Sequence, residues 1–97
     1  MQRLCFVYIL ASRLGGTLYI GVTSNLARRI YEHQNHTLEG FTRRCDVTRL
    51  VNYEPHGSGE SAIQREKQMK EWKRAWKVEL IEKSNPYWHD LSDQLTP

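Results

Sequence analysis

The chain has 97 residues, 39% hydrophobic and 26% charged, with a formal net charge of +3. That is enough for one domain spanning 1–97 and too little for two, with the balance of a water-soluble protein. No apolar stretch nears the ~20 residues needed to cross a bilayer, so no membrane partner is expected. Two cysteines, Cys5 and Cys45, do not make a disulfide framework, and a reducing cytoplasm is the simplest setting.

The longest apolar run, Leu4 to Ala11, follows Met1-Gln2-Arg3 directly. It reads as a core strand over 4–10 and not as a signal peptide. Apolar on both faces, it belongs in the centre of a sheet. Ser12 to Gly16 is a turn and Thr17 to Val22 the returning strand, rich in β-branched and aromatic residues. Thr23-Ser24-Asn25 supplies caps for a helix from Leu26 to about His36. Thr37 to Asp46 is polar and reads as a loop, followed by a strand from Val47 to Glu54 closed by Pro55. A helix from about Glu60 to Lys73 or beyond, capped by Ser58 or Ser61, precedes a further helical turn or two over Val78 to Lys83. Asn85-Pro86 ends it. Trp88 and Leu91 in the tail are expected to pack back on the body. The order strand, strand, helix, strand, helix, helix with a hairpin start implies an α+β fold: a small three-stranded antiparallel sheet flanked by helices.

Charge is unevenly placed. Between Gln64 and Lys77 stand six basic residues, Arg65, Lys67, Lys70, Lys73, Arg74 and Lys77, against Glu66 and Glu71. Arg28, Arg29, Arg43, Arg44 and Arg49 form a second group. Clustered cations attract polyanions through counterion release, although a solvated helix face has the same look.

Three places break the local pattern. Winding the second long helix puts Ala62, Met69 and Trp76 on one face, and Glu66 falls on that apolar stripe with Lys73. A carboxylate there loses hydration. A hard divalent cation, or an ion pair with Arg65 or Lys70, would resolve the loss. On the first helix Arg29 and His33 are four apart on the border of the side buried by Leu26 and Ile30, while Arg28 points to solvent. An arginine there can grip a phosphate, and a histidine can move a proton near neutral pH. His33 and His36 have a zinc-like spacing, but nothing near completes a zinc site. Tyr8 and Tyr19 share a sheet face if the hairpin pairs in an odd-sum register, and Gly21 on that face leaves space for a ligand or a neighbouring backbone. Cross-strand aromatic packing accounts for the tyrosines equally well.

Phe6-Val7-Tyr8, ten intervening residues and Tyr19-Ile20-Gly21 resemble the paired signature of the GIY-YIG nucleases, with Phe-Val in place of the leading Gly-Ile. Asn25-Leu26-Ala27-Arg28-Arg29 is similar to the family segment that carries the catalytic arginine, which falls on Arg29. Glu66 matches the metal-binding glutamate, His33 a frequent histidine and Asn85 a late asparagine. The Arg65-Glu66-Lys67 helix, Trp72 to Lys77 and Asn85-Pro86 resemble the small standalone bacterial branch of the family. The resemblance implies a metal-dependent endonuclease with one Mg2+ or Mn2+ ion on Glu66 and Tyr8, Tyr19, Arg29 and His33 as catalytic residues. Tyr8 is the first choice to orient or deprotonate the attacking water. Gly21, Asn25, Lys67, Lys70 and Asn85 are expected to meet nucleic acid, DNA before RNA, and a protein partner is one source of specificity. Two alternatives stand beside this: a non-catalytic nucleic-acid-binding module of the same fold, and an interaction domain using Trp72 and Trp76. Their i, i+4 spacing argues that those tryptophans are core.

Overall fold

A computed structural model describes residues 4–35 and 46–95. Arg43, Arg44, Cys45, His36 and the expected loop up to residue 45 lie outside these. The described elements are β1 (Cys5–Ala11), β2 (Leu18–Thr23), α1 (Leu26–Gln34), β3 (Arg49–His56), α2 (Gly59–Glu71), α3 (Arg74–Ser84) and a 3-10 helix (Leu91–Leu95). The strands form one antiparallel sheet in the order β2-β1-β3. The α+β architecture expected from the sequence is the one found.

β1 is the central strand, and Val7 to Ala11 are all buried. Alternation along it defines two layers. Val7, Ile9 and Ala11 face α2 and α3 with Ile20, Ala62, Met69 and Ile81. Tyr8 and Leu10 face the other way, with Leu26, Ile30, Val47 and Leu50. α1 and the 3-10 helix cover that second face. Tyr8 pairs with Gly21 and Leu10 with Tyr19, so the register is odd-sum and both tyrosines share a face. β3 is an edge strand and runs through Pro55, which lies opposite Phe6. An edge position tolerates the missing amide hydrogen. A bulge between Ile9 and Leu10 shifts the β1–β3 register.

The helix ends follow side-chain chemistry. Asn25 caps α1 by accepting the Arg28 amide at 3.2 Å. Ser58, not Ser61, caps α2, taking the Ser61 amide at 3.1 Å. The second half of the chain departs from expectation. The helix expected to reach Lys73 or beyond ends at Glu71: Trp72 and Lys73 are extended, with ψ of 150° and 149°, and α3 starts at Arg74 instead of Val78. Trp76 therefore leaves the α2 stripe and is 53% exposed. Lys73 likewise leaves the α2 stripe: it stands at the head of α3 without a side-chain capping bond. Trp72 stays half-buried beneath the Arg65 guanidinium, 4.9 Å from its ring centre. Arg74 secures the α2–α3 junction by donating to the Gly15 and Gly16 carbonyls at 2.9 and 2.6 Å.

The tail packs back as expected. Trp88 is 1% exposed and its indole donates to Glu82 at 2.7 Å. Its φ of +56° is costly for a bulky residue. Asn85 holds that turn: Nδ2 donates to the Val51 and His89 carbonyls, and Oδ1 accepts the His89 amide. No helix among the described residues is long and apolar enough to cross a membrane.

Candidate active site

The β1–β2 hairpin and α1 bring four of the polar residues together. The Tyr8 hydroxyl is 3.1 Å from His33 Nε2. Ring centres are 6.3 Å apart for Tyr8–Tyr19, 5.8 Å for Tyr8–His33 and 5.5 Å for Tyr19–His33. The Arg29 guanidinium and the Tyr19 hydroxyl both face the Tyr8 phenol. Arg29 keeps its side chain 38% exposed and meets Glu32 Oε1 through Nε at 3.4 Å. The cluster thus runs from a sealed interior, with Tyr8 at 0% and His33 at 4% exposure, to half-exposed Tyr19 and Arg29 at the surface.

Burial sets the proton chemistry. It pushes the Tyr8 phenol well above its usual range, with Tyr19 adding to the effect and Arg29 opposing it. It pushes the His33 imidazole down, helped by Arg29 and opposed by Glu32. Both side chains are therefore neutral near pH 7 and share one hydrogen bond. Because the folded pKa of His33 lies below its unfolded value, protons bind the unfolded chain first as pH falls. The stabilising contribution is complete above ~6.5 and is lost as pH drops through the folded pKa. Thermal melting of the wild type should fall more steeply than that of His33→Gln on acidification from ~7 to ~5.5. An NMR titration of Arg29→Ala should show His33 binding its proton at higher pH than in the wild type.

Gly21 has a different use from the one its small size suggests. A Cβ at this position would lie 2.5 Å from Tyr8 Cζ and Oη. The space is filled by the phenol, so the glycine seats Tyr8 and does not open the site to a ligand. Gly21→Ala is expected to lower stability by about 1–3 kcal/mol, as overpacking does, and to displace Tyr8 from His33. Denaturant unfolding and the His33 imidazole shifts would record both.

Glu66 lies in the other layer. Its side chain is 20% exposed and pairs with Lys70 at 3.2 Å, the ion pair that the sequence left as an option. Its direction follows from α2. Arg65 reaches Glu54 on β3 at 2.8 Å. Relative to Ala62, Arg65 sits about 60° to one side and Glu66 about 40° to the other. Glu66 therefore leans away from β3 and toward β2, the strand that carries Tyr19 and Gly21. No contact between Glu66 and the tyrosine cluster is among the described interactions. Among the described residues no three His, Cys, Asp or Glu side chains form a metal cage. A lone, partly buried carboxylate fits an ion that keeps most of its waters, as magnesium does.

The other expected contacts divide. Asn85 is 4% exposed and both hydrogens of its amide are used within the fold. Gly21 is buried against the Tyr8 ring. Asn25 remains exposed at the head of α1. Lys67 is exposed, whereas Lys70 is engaged with Glu66. Of the other helix cations, Arg65 and Arg74 are committed to Glu54 and to backbone carbonyls, which leaves Lys67, Lys73 and Lys77 for a polyanion. Arg49 donates to the Trp88 carbonyl at 3.1 Å and is structural. Glu32, beside both α1 arginines, was missed by sequence reasoning. Its i+3 and i+4 spacing from Arg29 and Arg28 was the available signal.

Residues 4–79 match the family described as the GIY-YIG catalytic domain. A UPF0213 protein of Natronomonas pharaonis is 38% identical over 76 residues, covering 78% of this chain and 88% of that protein. A UPF0213 protein of Syntrophus aciditrophicus is 37% identical over 82 residues, covering 84% and 92%. The solution NMR structure of a UPF0213 protein from Bacillus halodurans is 28% identical, with a TM-score of 0.56, 97% of this chain and 99% of that one being covered. The family match spans residues 4–79, most of the 97, and the chain belongs to the GIY-YIG family.

Proposed function

We propose that the chain is an endonuclease that hydrolyses phosphodiester bonds of nucleic acid, DNA before RNA, with one divalent ion on Glu66. The observation that carries this reading is the cluster of Tyr8, Tyr19, His33 and Arg29 on one face of the hairpin, graded from buried to exposed. A divalent ion there would supply positive charge to the scissile phosphate and the leaving oxygen. Arg29 offers its Nη groups to the same phosphate and stabilises the charge that grows on it during in-line attack. Tyr19, at the surface, is the phenol that an attacking water meets first. Sealed Tyr8 bridges Tyr19 and His33. A proton leaving the water passes to Tyr19 as Tyr19 passes its own to Tyr8 and Tyr8 passes its own to His33. The net change is one proton from water to imidazole. Burial and Arg29 disfavour the imidazolium more than Glu32 favours it, so the proton returns readily to the leaving oxygen. This assigns Tyr8 to a relay behind the water and Tyr19 to direct contact.

Cleavage of a panel of DNA and RNA hairpins, flaps and single strands tests the reading. Activity should appear with magnesium or manganese and vanish on adding EDTA. Binding to the same panel without cleavage of any member under either metal would favour the non-catalytic nucleic-acid-binding alternative.

A further inference from the structure

Glu32 stands between two guanidiniums. Its Oε1 lies 3.4 Å from Arg29 Nε and its Oε2 lies 3.7 Å from Arg28 Nε. Both contacts use Nε, the inner edge of each fork. The terminal Nη groups, which bind a phosphate oxygen pair best, are not the atoms of either contact; the Arg28 side chain is 75% exposed and the Arg29 guanidinium also faces the Tyr8 phenol. The three side chains, with Thr23, Ser24 and Asn25, line a polar recess of about 210 Å³ beside the tyrosine cluster. Glu32 is itself 27% exposed, so it is neither deeply buried nor a freely solvated surface charge.

We propose that Glu32 is a positioning residue for phosphate recognition: one carboxylate fixes the Nε edges of Arg28 and Arg29 so that both Nη ends face the recess. This deepens the nuclease reading and rests on it. Long arginine side chains lose considerable rotamer freedom when they grip a phosphate. A carboxylate that has already ordered them removes part of that loss. The same carboxylate repels the incoming phosphate. On binding the repulsion outweighs the ordering gain, whereas turnover, read on substrate already bound, keeps the benefit of ordered arginines.

A split between the two tests the proposal. Glu32→Ala should bind a fluorescein-labelled DNA hairpin about three- to tenfold more tightly than wild type in EDTA, and should cleave at least tenfold more slowly at saturating DNA with magnesium. Glu32→Gln, which keeps one acceptor oxygen, should recover part of the turnover. In NMR spectra the Arg29 Nε–H should exchange with water more slowly in wild type than in Glu32→Ala. Wild-type turnover in Glu32→Ala overturns the proposal, as does a parallel loss of binding, turnover and melting temperature. If the wild type cleaves no nucleic acid, the nuclease reading fails on its own. The Nε–H exchange rates then decide the clamp, and equal rates in the two proteins overturn it.

Discussion

Arg29→Ala is expected to lower the cleavage rate at saturating substrate by about 10²–10³-fold, the loss seen when one preorganised donor to a developing anion is removed. The effect comes from what Arg29 does at once. Its guanidinium lies against the Tyr8 phenol, its Nε is 3.4 Å from Glu32 and its side chain stays partly exposed. Removing it takes a cation from the proposed phosphate site and from beside Tyr8 and His33. Arg29→Lys should recover little, because an ammonium cannot engage Glu32 through one edge and a phosphate through the other two nitrogens. Single-turnover rates measure the effect, with circular dichroism confirming that the variants fold. The arginine is 38% exposed in its side chain and its ion pair is a weak source of stability, so folding should survive. Cleavage by Arg29→Ala at the wild-type rate would reduce Arg29 to a surface cation.

Much of the first half was legible in the sequence because alternation is unambiguous there. An apolar run on both faces can only be a central strand, and the odd-sum pairing that brings Tyr8 beside Tyr19 follows from a hairpin turning at Gly15, whose φ is +70°. How deep each tyrosine sits was not legible. Depth depends on α1 and the 3-10 helix closing over the sheet, and that is a tertiary fact. The same holds for Gly21: a gap and a filled seat look alike until the neighbouring ring is placed. The exact place of the α2–α3 break, and the start of α3 at Arg74, were hidden for another reason. From Arg65 to Lys77 there is neither glycine nor proline, and most residues are good helix formers. The break is held from outside, by Arg74 reaching the β1–β2 turn and by Trp72 under Arg65. Propensity read along the chain cannot see a partner 58 residues away. The structural use of Asn85 was not legible either: its amide closes the turn around Trp88, and both its hydrogens go to carbonyls of the fold.

Glu66 is where sequence and geometry have to be joined by experiment. Its carboxylate is paired with Lys70 along α2 at 3.2 Å, an exposed i, i+4 contact worth only about 0.3–0.5 kcal/mol. A divalent ion binding there has little to displace. Glu66→Ala is accordingly expected to abolish metal-dependent cleavage, and Glu66→Gln to behave nearly as badly, because a neutral amide cannot replace a carboxylate toward a hard cation. The distinguishing measurement needs no catalysis. Manganese added to the wild type should broaden the NMR signals nearest its site. If Glu66 leans toward β2 as the helix geometry requires, those signals include Tyr19, Gly21 and Arg29, and Glu66→Ala removes the broadening. Broadening confined to α2, with the hairpin signals untouched, would mean that the carboxylate and the tyrosine cluster do not address a common phosphate. The chemistry assigned to the four clustered residues would then have no metal to work with.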